Sequence, residues 1–224
     1  MLTILDSSRK ASRSGEDTSL VIFLHGYGAD GNDLLGLAEP LCELLPDTVF
    51  VSPNAPERCS SNPGGFQWFP IPWIDGSSEE EAELGLNAAE RDLNAYIDQV
   101  MEQEGLNDSE TVLIGFSQGT MMALHVAPRR KDEFACVVGF SGRLLKSELL
   151  ADEVKSRPPV LLLHGDRDEV VPFSSMSEAL EMLMESGFET YTHIMEDMGH
   201  GISPDGLEAA LTIITDKLGG IIKS

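Results

Sequence analysis

Ser117 stands in Gly115-Phe116-Ser117-Gln118-Gly119, which places G-x-S-x-G between an apolar, β-prone run, Thr111–Gly115, and a helical one. A serine so placed occupies a tight strand-to-helix turn in a strained conformation, and Gly115 and Gly119 leave room where side chains would collide with neighbouring elements. Its Oγ is exposed there, and the Gln118 N–H at the start of the helix points towards an attacked carbonyl. The chemistry this permits is attack on an acyl group, which needs a base to take the serine proton and an acid to orient that base. Turns of this kind find both partners downstream, the acid first and the histidine second. Val160–His164 leads into H-G-D-R-D-E-V-V-P, and Glu189–Met195 leads into E-D-M-G-H-G. His200 is the candidate base. Asp168 and Asp166 both remain candidate acids, because one residue separates them and spacing does not choose, although Asp166 suits a turn-forming side chain that bonds its own backbone.

Rival residues read differently. Gly139-Phe140-Ser141 also follows a strand but lacks the second glycine, so Ser141 reads as a strand-end residue. His25, His125, His164 and His193 read as structural hydrogen-bonding groups. Near the start, L-H-G-Y-G-A-D-G aligns Gly26, Gly28 and Gly31 as G-x-G-x-x-G after an apolar run, the pattern of a dinucleotide cradle. That reading needs an acid at the end of the second strand to hold a ribose, and Asp47 precedes Val49–Ser52 on the wrong side.

The elements that must position these residues are short strands alternating with helices. Candidate strands are Leu20–Leu24, Val49–Ser52, Thr111–Gly115, Ala135–Phe140, Val160–His164 and Glu189–Met195, several of them almost wholly apolar, as strands buried on both faces of a parallel sheet should be. Helical patterns cover Asp33–Leu45, Gln118–Ala127 up to Pro128, Ser174–Ser186 and Asp205–Leu218. A further helix opens at Ser78-Glu79-Glu80-Glu81 with a capping box, and Leu86, Ala89, Leu93, Ile97 and Val100 give it an apolar stripe to lay on the sheet. The alternation predicts a doubly wound α/β architecture, with residues 1–224 forming one domain.

Composition excludes several function classes. With 38 Asp+Glu against 15 Lys+Arg, the net charge of −23 repels phosphate backbones and anionic headgroups, so neither nucleic-acid binding nor stable membrane association is expected. The acids are dispersed, as on a strongly hydrated surface or one adapted to salt. No apolar run approaches the ~18 residues of a bilayer span, and M-L-T-I-L-D-S-S-R-K lacks the features of a secretory leader, so a cytoplasmic location is expected. Cys42, Cys59 and Cys136 have neither disulfide-framework nor zinc-site spacing. Cys42 and Cys136 read as packed thiols, and Cys59, in a polar loop, as exposed.

L-H-G-Y-G-A-D-G-N-D, G-F-S-Q-G, H-G-D-R-D-E-V-V-P and M-G-H, in that order, resemble the carboxylesterase/phospholipase family of α/β hydrolases, which includes small bacterial carboxylesterases and acyl-protein thioesterases. The resemblance covers nearly the whole chain. It implies an α/β-hydrolase fold, a mostly parallel central sheet with helices on both faces. It also implies a nucleophile at Ser117, an acid at Asp168 rather than Asp166, a base at His200, and oxyanion donors at the backbone of Tyr27 and Gln118. The glycines around Tyr27 then serve an oxyanion rather than a pyrophosphate. The expected activity is hydrolysis of short- to medium-chain carboxylic esters through an acyl-enzyme, with no metal or organic cofactor, by a monomer or homodimer. A lysophospholipase or acyl-protein thioesterase is the alternative, and a noncatalytic acyl-binding module the reading from another class. In Gly64–Trp73, Pro70 replaces an acid that relatives commonly carry; Phe66, Trp68 and Phe69 are candidate walls for an acyl chain, or a loop packing on its own core.

Overall fold

The computed structural model describes residues 3–219, so Met1, Leu2 and residues 220–224 of the expected domain lie outside the described residues. Nine strands and eight α-helices follow one another: β1 (Ser7–Lys10), β2 (Ser19–Leu24), α1 (Gly31–Leu35), α2 (Ala38–Leu41), β3 (Thr48–Pro53), β4 (Glu57–Arg58), β5 (Phe66–Gln67), α3 (Pro72–Asp75), α4 (Glu79–Glu104), β6 (Thr111–Phe116), α5 (Gln118–Val126), β7 (Cys136–Phe140), α6 (Leu150–Glu153), β8 (Val160–Gly165), α7 (Ser174–Glu185), β9 (Thr190–Met195) and α8 (Pro204–Gly219). Seven strands form one sheet in the order β1-β3-β2-β6-β7-β8-β9, and β4 pairs with β5 in a small hairpin. All pairings in the large sheet are parallel except that of β1 with β3.

Apolar character on both strand faces dictates helices on both sides. In β2, Leu20, Ile22 and Leu24 join the core under α4, α5 and α7, while Val21 and Phe23 join the core under α1, α2 and α8. This is the period of two expected of a pleated strand, here apolar at every position. The stripe on α4 is buried from Leu86 to Val100, and its N-terminus is closed as its sequence requires: Ser78 Oγ accepts the Glu81 N–H at 3.1 Å, and the Glu81 carboxylate accepts the Ser78 N–H at 2.8 Å. Among the described residues, no helix is long and apolar enough to cross a membrane.

Three expectations are corrected. Asp33–Leu45 is not one helix but α1 and α2, because Pro40 lacks an N–H and its ring would strike the Gly36 carbonyl in a continuous helix; it is accommodated in the first turn of α2. β1 is an added strand that apolar patterning does not predict, because its residues are polar and part-exposed, as an antiparallel edge strand allows. Cys59 is buried, like Cys42 and Cys136, and all three are free thiols. Burial pushes the Cys136 thiol up to about 12, which leaves it inert at neutral pH.

Candidate active site

Ser117 sits between β6 and α5 with φ 52° and ψ −115°, a conformation that an L-residue holds only when its surroundings impose it. Its N–H is tied to the Phe140 carbonyl of β7 at 2.8 Å. A Cβ on Gly119 would overlap the Leu24 carbonyl oxygen of β2, and one on Gly115 the backbone of Thr120. Both glycines are therefore required for α5 to start this close to the sheet. Packing thus holds the turn, and Ser117 absorbs the strain.

The segment after β2 lies alongside. Gly28 takes φ 79°, open to glycine, and its N–H donates to the Phe66 carbonyl at 2.8 Å, while the Phe66 N–H donates to the Ala29 carbonyl at 2.8 Å. Among the described residues, the backbone N–H groups of Tyr27 and Gln118 donate to no protein acceptor, so both are unspent. The Tyr27 hydroxyl, meanwhile, is anchored to the Asp75 carboxylate at 3.1 Å, which also accepts the Ile71 and Ser77 N–H groups.

The Gln118 side chain has a separate task. Its Oε1 accepts the Trp68 N–H at 2.9 Å and its Nε2 donates to the Phe69 carbonyl at 2.7 Å, while the Trp68 indole N–H donates to the His25 carbonyl at 2.9 Å. His25, fully buried, donates from Nδ1 to the Gly26 carbonyl and accepts the Ala55 N–H at Nε2; burial holds its pKa below the usual imidazole value, so the ring is a neutral strut. Trp68 and Phe69 are both buried in the core, as the alternative of a loop packing on its own core expects. Phe66 remains half-buried, with the Arg58 guanidinium 4.2 Å from its ring centroid. Gln118→Ala should leave a buried N–H and a buried carbonyl unpaired and cost roughly 2–4 kcal/mol, read as a shift in denaturant midpoint.

The loops after β8 and β9 meet at Asp168 and His200. His200 Nδ1 lies 2.7 Å from Asp168 Oδ2, and Oδ1 accepts the Val170 and Val171 N–H groups at 2.9 Å each. Burial alone would raise the Asp168 pKa, but the hydrogen bonds from His200, Val171 and Val170 outweigh it and hold the carboxyl below its usual value. Asp166, by contrast, is exposed. The His200 ring packs on Phe116, the residue before Ser117, with centroids 4.9 Å apart. Ser141 is buried, and its N–H bonds the Leu163 carbonyl at the strand end; His125 reaches Glu90, and His193 reaches Asp205. Among the described residues, no group of three His, Cys, Asp or Glu side chains is arranged to hold a metal ion.

A strained serine at a strand-to-helix turn, two unspent amides and an imidazole bonded to a buried carboxylate are the parts of an acyl-transfer site. The family model described as Phospholipase/Carboxylesterase matches residues 7–218. The chain belongs to that family. It is 29% identical to Esterase YpfH of Escherichia coli over 195 residues, covering 86% of this chain and 80% of the relative. It is 28% identical to an acyl-protein thioesterase 1 of Neurospora crassa, covering 90% of this chain and 87% of that one. The crystal structure of esterase PE8 superposes with a TM-score of 0.92 at 39% identity, covering 96% of this chain and all of that one. This member of the phospholipase/carboxylesterase family accordingly has the α/β-hydrolase fold and is an esterase-type hydrolase.

Proposed function

We propose that this family member is a serine carboxylesterase acting on short- to medium-chain esters. The observation that carries the proposal is the 2.7 Å Asp168–His200 bond, on a ring packed against the residue that precedes Ser117. Ser117 Oγ attacks the ester carbonyl while His200 takes its proton. The Tyr27 and Gln118 amides receive the oxyanion, aimed beforehand and free of competing acceptors. His200 then protonates the leaving alcohol, and water, activated by the same imidazole, releases the acid. Asp168 fixes the histidine tautomer and stabilises its charged form in the transition state.

A cavity of about 330 Å³ beside Gly26 and Phe116, lined also by Leu34, Leu37 and Ile202, supports a modest apolar substituent on the ester. The net charge of −23 argues against prolonged residence on an anionic membrane, where a long-chain lipid would be presented. The thioesterase reading is favoured by the likeness to the Neurospora acyl-protein thioesterase 1. Hydrolysis of p-nitrophenyl esters across an acyl series, with fluorophosphonate labelling mapped by mass spectrometry, tests both. The expected result is a rate maximum at short to medium chains and a label on Ser117. A maximum at long chains would move the assignment to the lipid or thioester reading, and absence of label on the folded protein would overturn the serine mechanism.

A further inference from the structure

Asp168 Oδ2 faces two imidazoles. Besides His200, the Nε2 of His164, at the end of β8, lies 3.2 Å from it and 3.0 Å from the Val171 carbonyl oxygen. His164 is 1% exposed and stands edge-on to Phe173 with centroids 6.0 Å apart. An amide carbonyl only accepts, and an ionised carboxylate only accepts; the nitrogen facing both must carry a proton. The tautomer follows from the partners. The Nε2–H is donated to the Val171 carbonyl, closing the turn whose Val170 and Val171 N–H groups hold Asp168 Oδ1, and the nitrogen lies 3.2 Å from Oδ2.

We propose that His164 is a positioning residue for the Asp168–His200 pair: by holding the Val171 carbonyl its Nε2–H fixes the turn that presents the carboxylate, and that N–H dipole lies beside the oxygen that holds His200. The nearby dipole also moderates how strongly Oδ2 draws the His200 proton. The effect passes entirely through Asp168. The inference rests on the acyl-transfer reading given above only for its consequence in turnover; its consequence for the hydrogen bond needs no substrate.

His164→Met and His164→Gln test it as a pair, since the two side chains are alike in length and only Gln keeps a donor near the Nε2 position. In the Met variant kcat should fall on the order of 10- to 100-fold with KM little changed, because a misdirected base impairs the chemical step rather than binding. The Gln variant should recover to within a few-fold of wild type. By proton NMR, the His200 Nδ1–H resonance should move downfield in the Met variant as Oδ2 loses the neighbouring N–H dipole, and return towards the wild-type position with Gln. Equal kcat and an unmoved resonance in a folded Met variant would overturn the proposal. If neither variant folds, nitrogen-15 shifts of the wild type decide: a protonated Nε2 on His164 is required, and a bare one refutes the assignment. Were the wild type to hydrolyse no ester at all, the functional reading would fail while the resonance still judged His164.

Discussion

Ser117→Ala should lose on the order of 10⁶ in kcat on a p-nitrophenyl ester, the loss seen when the nucleophile of a comparable serine hydrolase is removed. In the proposed mechanism, His200, Asp168 and the two amides all act on an intermediate that only the serine oxygen can form. What survives is the part of the site that binds and polarises a carbonyl for attack by water, so the residual rate should still exceed the uncatalysed one. The fold should not suffer. The turn is held by the Ser117 N–H to Phe140 and by Gly119 against Leu24, neither of which involves the hydroxyl. A variant rate within tenfold of wild type would remove Ser117 from the mechanism.

Asp168→Asn should cost on the order of 10⁴ in kcat, because an amide in place of the carboxylate favours the wrong imidazole tautomer and leaves the transition-state cation unsupported. Asp166→Asn, at an exposed position two residues away, should change the rate by no more than a few-fold. A larger loss at Asp166 would reverse the assignment of the acid. Stability offers an independent check with a defined sign. The Asp168 pKa is depressed by folding, so its contribution is present above the unfolded carboxyl value of ~3.9 and is lost as pH falls through the lower folded value. The gap in denaturation midpoint between wild type and Asp168→Asn should therefore be widest near neutrality and close in acid.

Much of this arrangement was legible in the sequence because it is written in backbone constraints. Glycines at 115 and 119 around a serine, between an apolar run and a helical one, have few structural solutions, and the six candidate strands all appear in the sheet within one or two residues. Buried strands announce themselves by continuous apolar runs. β1 does not, since it faces solvent at an edge, and the break at Pro40 was hidden beneath an apolar spacing that the two short helices satisfy equally well. Spacing also left Asp166 and Asp168 tied, and the structure differs at the two through burial: one is exposed, and the other accepts three hydrogen bonds, from Val170, Val171 and His200. The bonds made by the Gln118 amide, the Tyr27 hydroxyl and His164 depend on partners 50, 48 and 7 residues away, the first two too distant for a local pattern to reveal. The last was close enough, and H-x-x-x-D across a strand-end turn was the available signal.

The segment carrying Phe66 is fastened almost wholly through main-chain atoms: Phe66 N–H and carbonyl to the Gly28–Ala29 backbone, Trp68 N–H and Phe69 carbonyl to Gln118. Main-chain attachments are indifferent to heredity. A mutation that replaces the half-buried Phe66 ring leaves each of those anchors in place, so this segment can drift through sequence space while the turn bearing Ser117 stays where it is. Lineages could thus exchange one ester diet for another by small steps, without passing through an unfolded or inactive ancestor.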